Sequence, residues 1–462
     1  MRFPAVAGTS IIPFFQRFFN PDDDFTGNYT IWQKIFLFHQ EFRHIFFAKP
    51  LALYTKMVYN RVRKLHTLPE RNLSYMNRFV YADHAATTNV APEVLEEMLP
   101  CFGAEYGNPS SLYGIGQNAS RMIADARARI AKVLGAKPTE IFFTSCGSES
   151  DNWAIKGVAR ANASRGKHII TTVYEHHAVL HTMDALKKDG FEITYLKVNE
   201  EGLITPEELE AAIRPDTILV AMMYANNEIG TILPIKEMAA VAHAHKVYFF
   251  TDAVQAVGNI PVDVNDLGVD LLALSGHKIH APKGIGVLYV RTGTRIANLI
   301  DGGGQERSRR GGTENVAYIR GLAKALEMAV EGLPDMERVA AMRNRLAEGI
   351  AKIPYSRING SMEHRLPGNL NVAFEFIEGE SLILLLDMAG ICASTGSACS
   401  TASLEPSHVL LSIGLPHEKA HGSLRLTLSH GNTEDDVDYI LEKLPPIVER
   451  LREMSPLYDK NA

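Results

Sequence analysis

The sequence predicts an α/β fold in which a mainly parallel, seven-stranded sheet is covered by helices on both faces. Three observations support this prediction. Seven short apolar or β-branched runs lie between residues 140 and 291, helical stretches separate most of them, and polar residues follow directly after five runs. Near-continuous apolar strands that alternate with helices are typical of parallel sheets that are buried on both faces. We therefore expect a ligand site at one edge of this sheet.

The elements follow from local patterns. Residues 120–135 have apolar residues at helical spacing and end at Gly135, which is typical of a helix C-terminus. Thr205 and Glu208 fit a capping box. The seven expected strands are EIFFTS (140–145), KHIITTV (167–173), FEITYLKV (191–198), TILVAMMY (217–224), VYFFTD (247–252), VDLLALS (269–275) and GIGVLYV (284–290). A last helix over 435–454 is expected to pack through Val437, Ile440, Leu441 and Leu444.

Composition and charge narrow the class of protein. The 462 residues are 46% hydrophobic and 22% charged, which is ordinary for a globular protein of two or three domains. A net charge of −6 argues against general binding of nucleic acid, because neutralising phosphates needs a basic face. The four cysteines include no C-x-x-C pair, so we expect a reducing, cytoplasmic environment and no disulfide framework or zinc site. No apolar run reaches the roughly 18 residues of a membrane span, and no membrane is expected for residues 76–462.

Residues 1–75 differ from the rest of the chain. They are rich in Phe and Tyr and carry ten Lys/Arg against five Asp/Glu, so their charge is +5 and that of the remainder is −11 (−6 minus 5). We favour the interpretation that this atypical extension reflects an overextended start, with the working protein beginning near Met76. The alternative is a basic, aromatic helix over residues 31–59 that binds a membrane surface or a partner. The acidic PDDD motif argues against a transit peptide.

Residues at the strand ends indicate a cofactor. Lys278 follows a buried strand, where an amine is unfavourable unless it is paired or forms a Schiff base. Asp252 follows a strongly apolar strand and needs a cationic partner. Gly147 and Ser148 open a helix whose first N–H groups suit a phosphate. Taken singly, each feature also fits a simpler interpretation: an exposed lysine for Lys278, a helix cap or ion pair for Asp252, and an ordinary turn for Gly147 and Ser148. Together they specify pyridoxal phosphate.

Nine motifs occur in one characteristic order: YADHAATT (81–88), GNPSSLY (107–113), FFTSCGSESDN (142–152), EHHAVL (175–180), NNEIGT (226–231), DAVQAVG (252–258), SGHKIHAPKGIG (275–286), GGGQERSRRGGTENV (302–316) and STGSACSTASLEPSHVL (394–410). Over residues 76–458 the chain thereby resembles the cysteine desulfurases of the NifS/IscS type, class V in the aminotransferase scheme. The resemblance implies a homodimer of the PLP-dependent transferase fold type I. A large domain (90–332) would hold the seven-stranded sheet, and a smaller α+β domain (76–89 and 333–462) the cysteine loop.

The resemblance also implies an activity. Family members convert L-cysteine to L-alanine and keep the sulfur as an enzyme persulfide, which supplies iron–sulfur cluster assembly and tRNA thiolation. Expected partners are therefore L-cysteine, an iron–sulfur scaffold protein and a tRNA-thiolation protein. A selenocysteine lyase or a cysteine-sulfinate desulfinase is the alternative on the same cofactor. A non-catalytic scaffold is disfavoured because Lys278, Asp252 and Cys399 are all present. A metal-binding protein built on His176 and His177 is disfavoured because the ligand spacing is wrong.

Site residues carry over position by position. Lys278 matches the Schiff-base lysine, His176 the histidine stacked on the pyridine ring, and Cys399 the persulfide-forming nucleophile. Cofactor binding is assigned to Gly147, Ser148, Asn227, Asp252, Gln255, Ser275, His277, Lys278 and, from the partner subunit, Thr313. Substrate binding is assigned to Asn227 and Arg425, the latter through a bidentate bond to the carboxylate. No resident metal is expected, with Cys399 as a transient ligand of a cluster on a partner. Cys146 stands where the family commonly has glycine; a second thiol near the phosphate is one interpretation, and we favour the other, a small buried residue.

Overall fold

The computed structural model describes residues 78–395 and 406–458. The chain divides into two compact units, Met1–Tyr75 and Met76–Ala462, and every described residue belongs to the second. Both interpretations of residues 1–75, including the helix over 31–59, fall outside the described residues, and so does Cys399. Within the described ranges, no helix is both long and apolar enough to cross a bilayer.

Twelve strands are found among the described residues. In chain order they are β1 (Val80–Tyr81), β2 (Ile141–Thr144), β3 (His168–Thr172), β4 (Glu192–Leu196), β5 (Thr217–Met223), β6 (Tyr248–Asp252), β7 (Leu271–Ser275), β8 (Gly286–Val290), β9 (Ser356–Asn359), β10 (Asn369–Phe374), β11 (Ile391–Cys392) and β12 (Ser423–Thr427). The largest sheet has the order β2-β8-β7-β6-β5-β3-β4. Within it β8 is antiparallel to both neighbours and the other pairs are parallel. All seven predicted strands are present, and the predicted sheet is confirmed.

The helices surround this sheet and a second, smaller one. Apart from a kinked helical turn at Gln305–Ser308, they are α1 (Pro92–Met98), α2 (Gly114–Leu134), α3 (Gly147–Asn162), α4 (His177–Lys188), α5 (Pro206–Ala212), α6 (Ile235–Ala244), α7 (Val264–Leu267), α8 (Val316–Glu331), α9 (Met336–Ile350), α10 (Gly379–Met388), α11 (His408–Ser412), α12 (His417–His421) and α13 (Glu434–Met454). The predicted stop of α2 at Gly135, which has φ +70°, and the capping box of Thr205 and Glu208 are both confirmed. α2 begins at Gly114, earlier than predicted. The prediction missed this start because the first turn of the helix lacks apolar periodicity.

Apolar side chains fill both faces of the large sheet. Phe249 and Phe250 are neighbours in β6, and alternation along the strand places them in different cores. The first core includes Ile130 of α2 and Leu322 of α8, whereas the second includes Val158 of α3 and Met183 of α4. Helices therefore cover the sheet on both sides, as the near-continuous apolar strands predicted.

A separate core lies beneath the smaller sheet. β12, β10 and β9 form an antiparallel sheet in that order, and β1 pairs with β11 in parallel. Val80 of β1 packs in this core with side chains from α9, α10 and α13. In α13 the predicted positions Val437, Ile440 and Leu444 are buried, and Leu441 is half-buried. The N-terminal strand therefore packs with elements that are close to the C-terminus.

Parallel strand order brings five loops to one edge of the large sheet. The carboxyl ends of β2, β3, β5, β6 and β7 are followed by residues 145–148, 173–177, 224–228, 253–255 and 276–278. Neighbouring parallel strands end at the same edge, so these loops meet although they are far apart in sequence. This edge carries the candidate site.

Candidate active site

A cavity of about 370 Å³ opens at this edge of the sheet. It contains ten residues that the sequence assigned to the site: Gly147, Ser148, His176, Asn227, Asp252, Gln255, Ser275, His277, Lys278 and Arg425. Ten further residues line the cavity, and five of these have titratable side chains that were not assigned a role: Cys146, Asp151, His177, Glu228 and His408. The volume is within the usual range for a site that holds a small organic ligand.

Lys278 reaches the cavity from the 3₁₀ turn after β7. Its Nζ donates to the carbonyl oxygens of Ala85 (2.5 Å) and Ala86 (2.8 Å). The same N-terminal segment is held against the turn because Thr88 donates to the His277 carbonyl through its N–H (2.9 Å) and its hydroxyl (3.0 Å). Neutral carbonyl groups thus orient the amine at the cavity wall.

The turn before α3 forms one end of the cavity. Gly147 is the first residue of this sixteen-residue helix, so N–H groups of the first turn and the helix dipole lie there. A side chain at Gly147 would place its Cβ 2.8 Å from Val254 Cγ2 and 3.5 Å from Ser275 Cβ. Glycine is therefore required for this close approach. The turn, Ser148 and Ser275 together provide N–H and hydroxyl donors suited to an anion.

Buried carboxyl groups lie beside the cavity. Asp252 ends β6, and its Oδ1 accepts from the Val254 N–H (2.9 Å). Burial raises the pKa of Asp252, and the Lys278 charge opposes this rise. Burial, followed by the charge of Asp252, raises the pKa of Asp151 well above its ordinary value. Asp151 Oδ1 has no hydrogen-bond partner among the described residues. Of these two groups, Asp252 is better placed to carry the negative charge, because Lys278 stabilises it.

Neutral histidines surround Lys278. His176 caps α4, and its Nδ1 accepts from the Ala178 N–H (3.1 Å), so we assign the ring proton to Nε2. Burial and then the Lys278 charge lower the pKa of His176 to about 4. The same causes lower the pKa of His277 to about 4. Both rings are therefore uncharged at neutral pH.

Arg425 lines the cavity from the small sheet. It lies in β12 with 2% of its side chain exposed. Nη1 donates to the Asn227 carbonyl (3.0 Å) and Nη2 donates to Asp83 (2.9 Å). Nε is buried and has no hydrogen-bond partner among the described residues. A bidentate bond to a ligand carboxylate would therefore combine this open Nε with an Nη donor released from its present partner.

Glu228, near Arg425, is the main residue of the cavity that sequence reasoning missed. It is 2% exposed and accepts a short hydrogen bond from the Ser407 hydroxyl. Burial raises the pKa of Glu228 to about 7, against the effects of Ser407 and Arg425. Its motif, NNEIGT, was recognised, and a charged residue between apolar runs was the available signal.

Cys146, Thr313 and Cys399 differ from the other residues that the sequence singled out. Cys146 is half-buried and lines the cavity, so the prediction of a buried residue is wrong; its extended backbone (φ −174°) precedes α3 at the cavity end. Thr313 is exposed and is not among the residues that line this cavity, and its assignment to the partner's site stays a prediction. Cys399 lies outside the described residues. Among those described, no group of three or more His, Cys, Asp or Glu is arranged to hold a metal ion.

Known proteins are similar to this chain in sequence and in architecture. The family model for class V aminotransferases matches residues 80–440, which include every residue that lines the cavity. The chain is 56% identical over 388 residues to a cysteine desulfurase IscS of Clostridium botulinum (strain Hall), covering 83% of this chain and 98% of that protein. A solved NifS-like protein superposes with a TM-score of 0.77 at 42% identity, over 81% of this chain and 100% of that one. A structure described as SspA in complex with cysteine gives 0.68 at 39% identity, over 76% and 98%.

Proposed function

This chain belongs to the class V aminotransferase family, and we propose that it is a cysteine desulfurase that converts L-cysteine to L-alanine and takes up the sulfur as an enzyme persulfide. One observation carries the proposal. Lys278, Asp252 and the anion-binding turn at Gly147 lie at one cavity together with a buried arginine, Arg425. An aldehyde cofactor that carries a phosphate and an amino acid that carries a carboxylate would each find their complementary groups there.

The residues present fit pyridoxal phosphate. The missing Cβ of Gly147 leaves a close-packed turn with N–H and hydroxyl donors for the phosphate. We assign phosphate binding to Gly147, Ser148, Ser275 and His277. Asp252 would accept a hydrogen bond from the protonated ring nitrogen, since its charge is stabilised by nearby Lys278.

The remaining cofactor contacts follow the family resemblance. Lys278 would bind the cofactor aldehyde through its amine, His176 would lie against the ring, and Gln255 would face the ring hydroxyl. Asn227 would contact the cofactor or the substrate carboxylate. Pyridoxal phosphate, when bound, supplies an electron sink for charge that develops beside the substrate amine.

Three residues of this chain would act on the substrate. Arg425 binds and orients the carboxylate, and its buried position strengthens that interaction because little water competes. Lys278, once its amine is released, is the base that moves the proton from the carbon next to the substrate amine. His176 holds a proton at Nε2 beside Lys278, in position for acid–base chemistry.

Sulfur transfer requires a thiolate, and we assign it to Cys399. The Cys399 thiolate would form an S–S bond with the substrate sulfur as the substrate C–S bond breaks. The electron pair of that C–S bond stays on carbon, which gains a proton to give alanine. L-cysteine and one enzyme thiol thus become L-alanine and one enzyme persulfide, with no external oxidant.

We extend the proposal to the assembly and its partners. Four large apolar side chains near α1 and α2 are exposed (Phe102, Tyr106, Leu112 and Tyr113), and a second copy of the chain in a homodimer would cover them. Such a partner would contribute Thr313.

The separate core beneath the small sheet supports a division into two domains, one of residues 90–332 and one of residues 76–89 together with 333–462. We propose that the enzyme works in the cytoplasm, where it passes the persulfide sulfur to an iron–sulfur scaffold protein and to a tRNA-thiolation protein.

The test compares the wild type with Cys399→Ala, both loaded with pyridoxal phosphate. We expect both to show the visible absorbance of the lysine-bound cofactor, and only the wild type to release alanine from L-cysteine with a thiol reductant. Cys101→Ala, a change of a buried thiol that does not line the cavity, is the matched control and should stay active. Faster turnover of L-selenocysteine or cysteine sulfinate by both Cys399→Ala and the wild type would instead support a lyase or a desulfinase. A wild type that binds no cofactor would contradict the proposal.

A further inference from the structure

A carboxylate lies behind the turn that we assign to the cofactor phosphate. Glu149 is the third residue of α3, and its Oε2 accepts from the N–H (2.8 Å) and the hydroxyl (2.5 Å) of Ser145, the first residue of the turn. Neither Ser145 nor Glu149 is among the described residues that line the cavity, so these bonds fix the turn from outside. Glu149 therefore holds the turn in place, but it brings a carboxylate close to the expected anion.

Glu149 is ionised at neutral pH. Its side chain is 10% exposed, and burial raises the pKa of the carboxyl group. Hydrogen bonds from Arg310 and Ser145 outweigh burial and leave the pKa of Glu149 below its ordinary value. A phosphate carries about two negative charges at neutral pH, so an uncompensated Glu149 would repel it.

Arg310 compensates the charge of Glu149. Its Nε donates to Glu149 Oε1 (2.8 Å) and its Nη2 donates to Oε2 (3.0 Å), which makes the pair bidentate. Such pairs are stronger and more directional than a single hydrogen bond. The two residues are 161 positions apart, so the compensating charge comes from a different loop of the chain.

The loop that carries Arg310 is held against β2. Residues 306–308 all have left-handed backbone, with φ of +47°, +58° and +63°, which is unfavourable for residues other than glycine. Contacts of Glu306 offset this strain, because its carboxylate accepts two bonds from Arg127 (2.6 and 2.9 Å) and one from the Phe143 N–H (3.0 Å). Arg310 follows this stretch by two residues and therefore starts from a fixed backbone.

We propose that Arg310 and Glu149 are a positioning pair for the cofactor phosphate: Glu149 fixes the turn through Ser145, and Arg310 removes the repulsion that the Glu149 carboxylate would exert on the phosphate. This inference rests on the proposed function, because it concerns the phosphate of the same cofactor. Both side chains act through the turn and through their charges. The pair determines how strongly the site prefers a ligand that carries a phosphate over one that does not.

Two roles of Arg310 predict different results. If Arg310 only braces its loop, its loss should weaken all ligands of the cavity alike, and the loss of Glu149 as well should not help. If Arg310 compensates Glu149, its loss should weaken only ligands that carry a phosphate, and removing the carboxylate should restore their binding. One uncompensated charge close to a phosphate in a partly buried site changes binding by at least about tenfold.

The experiment titrates the full-length protein, freed of cofactor, with pyridoxal phosphate and separately with pyridoxal, which has the same ring and aldehyde but no phosphate. The visible absorbance of the lysine-bound aldehyde reports binding. We call the dissociation constant of pyridoxal divided by that of pyridoxal phosphate the phosphate preference. Effects on Lys278 or on the fold enter both constants and cancel in this ratio.

We expect Arg310→Gln, which keeps a donor and loses the charge, to lower the phosphate preference at least about tenfold. Glu149→Gln should raise it about threefold, because the Arg310 charge is then unopposed while a neutral amide holds Ser145 less firmly. The double variant Arg310→Gln/Glu149→Gln should return to within about threefold of the wild type, since the two charges are coupled.

Arg309→Gln is the matched control. It removes the neighbouring positive charge, which lies over the Phe142 ring rather than at the turn. The phosphate preference should change less than about twofold, because a charge away from the turn is screened. A loss as large as that of Arg310→Gln would show that only the total charge of the loop matters, and would overturn the inference.

Three further results would overturn it. They are a phosphate preference of Arg310→Gln within about threefold of the wild type, a double variant as low as Arg310→Gln, and a lowered or unchanged preference in Glu149→Gln. If Arg310→Gln does not fold, the sign of the change in Glu149→Gln still decides. A wild type that binds neither ligand would contradict the proposed function. A wild type that prefers pyridoxal phosphate, with variants that share its preference, would contradict this inference alone.

Discussion

Two parts of the cavity wall are built in different ways. We call Gly147, Ser148, Asp252, Ser275 and Lys278 the cofactor wall, and Asp83, Glu228, Ser407 and Arg425 the substrate wall. Each residue of the cofactor wall lies within four residues of the carboxyl end of a strand in one sheet. The residues of the substrate wall come from four separate parts of the chain and are joined by buried polar contacts.

This difference has consequences for how each wall responds to mutation. The cofactor wall takes its geometry from the ends of β2, β6 and β7 in one sheet, so the loss of a functional side chain such as that of Lys278 leaves the frame intact. In the substrate wall the side chains themselves are the frame, because Arg425 is bonded to both Asp83 and the Asn227 carbonyl. We therefore expect changes in the cofactor wall to affect chemistry alone, and changes in the substrate wall to affect binding and stability together.

The largest expected effect is that of Lys278→Ala in the cofactor wall. It removes the proposed base and the cofactor attachment, so turnover of L-cysteine should fall by about 10²–10⁴-fold or more. The free energy of unfolding without cofactor should change by less than about 1 kcal/mol, because the lost bonds to Ala85 and Ala86 are partly offset by relief from burying an ammonium group. Steady-state kinetics and denaturant unfolding measure the two quantities.

Lys283→Ala is the matched control, since Lys283 is exposed and five residues further along the same motif. It should leave both quantities unchanged. More than a tenth of wild-type turnover in Lys278→Ala would show that the cofactor wall has been assigned wrongly.

An intermediate effect is expected for Arg425→Lys in the substrate wall. Lysine keeps the charge but cannot donate in the planar geometry that reaches both Asp83 and the Asn227 carbonyl. The KM for L-cysteine should rise about tenfold or more, and the free energy of unfolding without cofactor should fall by about 1–3 kcal/mol. Arg357→Lys, at an exposed position, is the control. A higher KM with unchanged stability would remove the proposed contrast between the walls.

The sequence predicts the two walls unequally, for the same physical reason. β2 to β8 were predictable because each is a short apolar run, and the polar residues after them had to meet at one edge. The contacts of Glu228 with Ser407 and of Asp83 with Arg425 join residues 179 and 342 positions apart, and no local pattern specifies such pairs. Arg425 was found by family resemblance, and Glu228 only by the structure.

The smallest expected effect on activity concerns Glu175, which is buried and directly precedes the cavity residue His176. Its Oε1 accepts from the Thr172 hydroxyl (2.6 Å) and the Met223 N–H (3.0 Å), and its carbonyl oxygen contacts His408 of α11. Burial raises the pKa of Glu175 from 4.5 to about 8. Between these values the folded protein keeps a proton that the unfolded chain releases, so this group lowers stability as the pH rises.

Glu175→Gln retains the Oε1 acceptor and removes the ionisation. The wild type should therefore lose stability relative to this variant by about 1.4 kcal/mol for each pH unit between pH 5 and 8. Denaturant unfolding at pH 5.5 and 7.5 measures the difference. Parallel stability curves for the two proteins would show that Glu175 is ionised throughout, and a wild type that gains stability relative to the variant as the pH rises would reverse the proposed sign.

The central claim is that sulfur leaves L-cysteine for Cys399 at this cavity. It is tested most directly by mixing the loaded enzyme with one equivalent of L-cysteine, without reductant, and analysing the quenched protein by peptide mass spectrometry. We predict one alanine per active site and a gain of one sulfur atom on the peptide that contains Cys399, with no gain on those that contain Cys101, Cys146 or Cys392. Two results would contradict the account: alanine formation with the extra sulfur on another cysteine, and alanine formation with no mass gain on any cysteine-containing peptide.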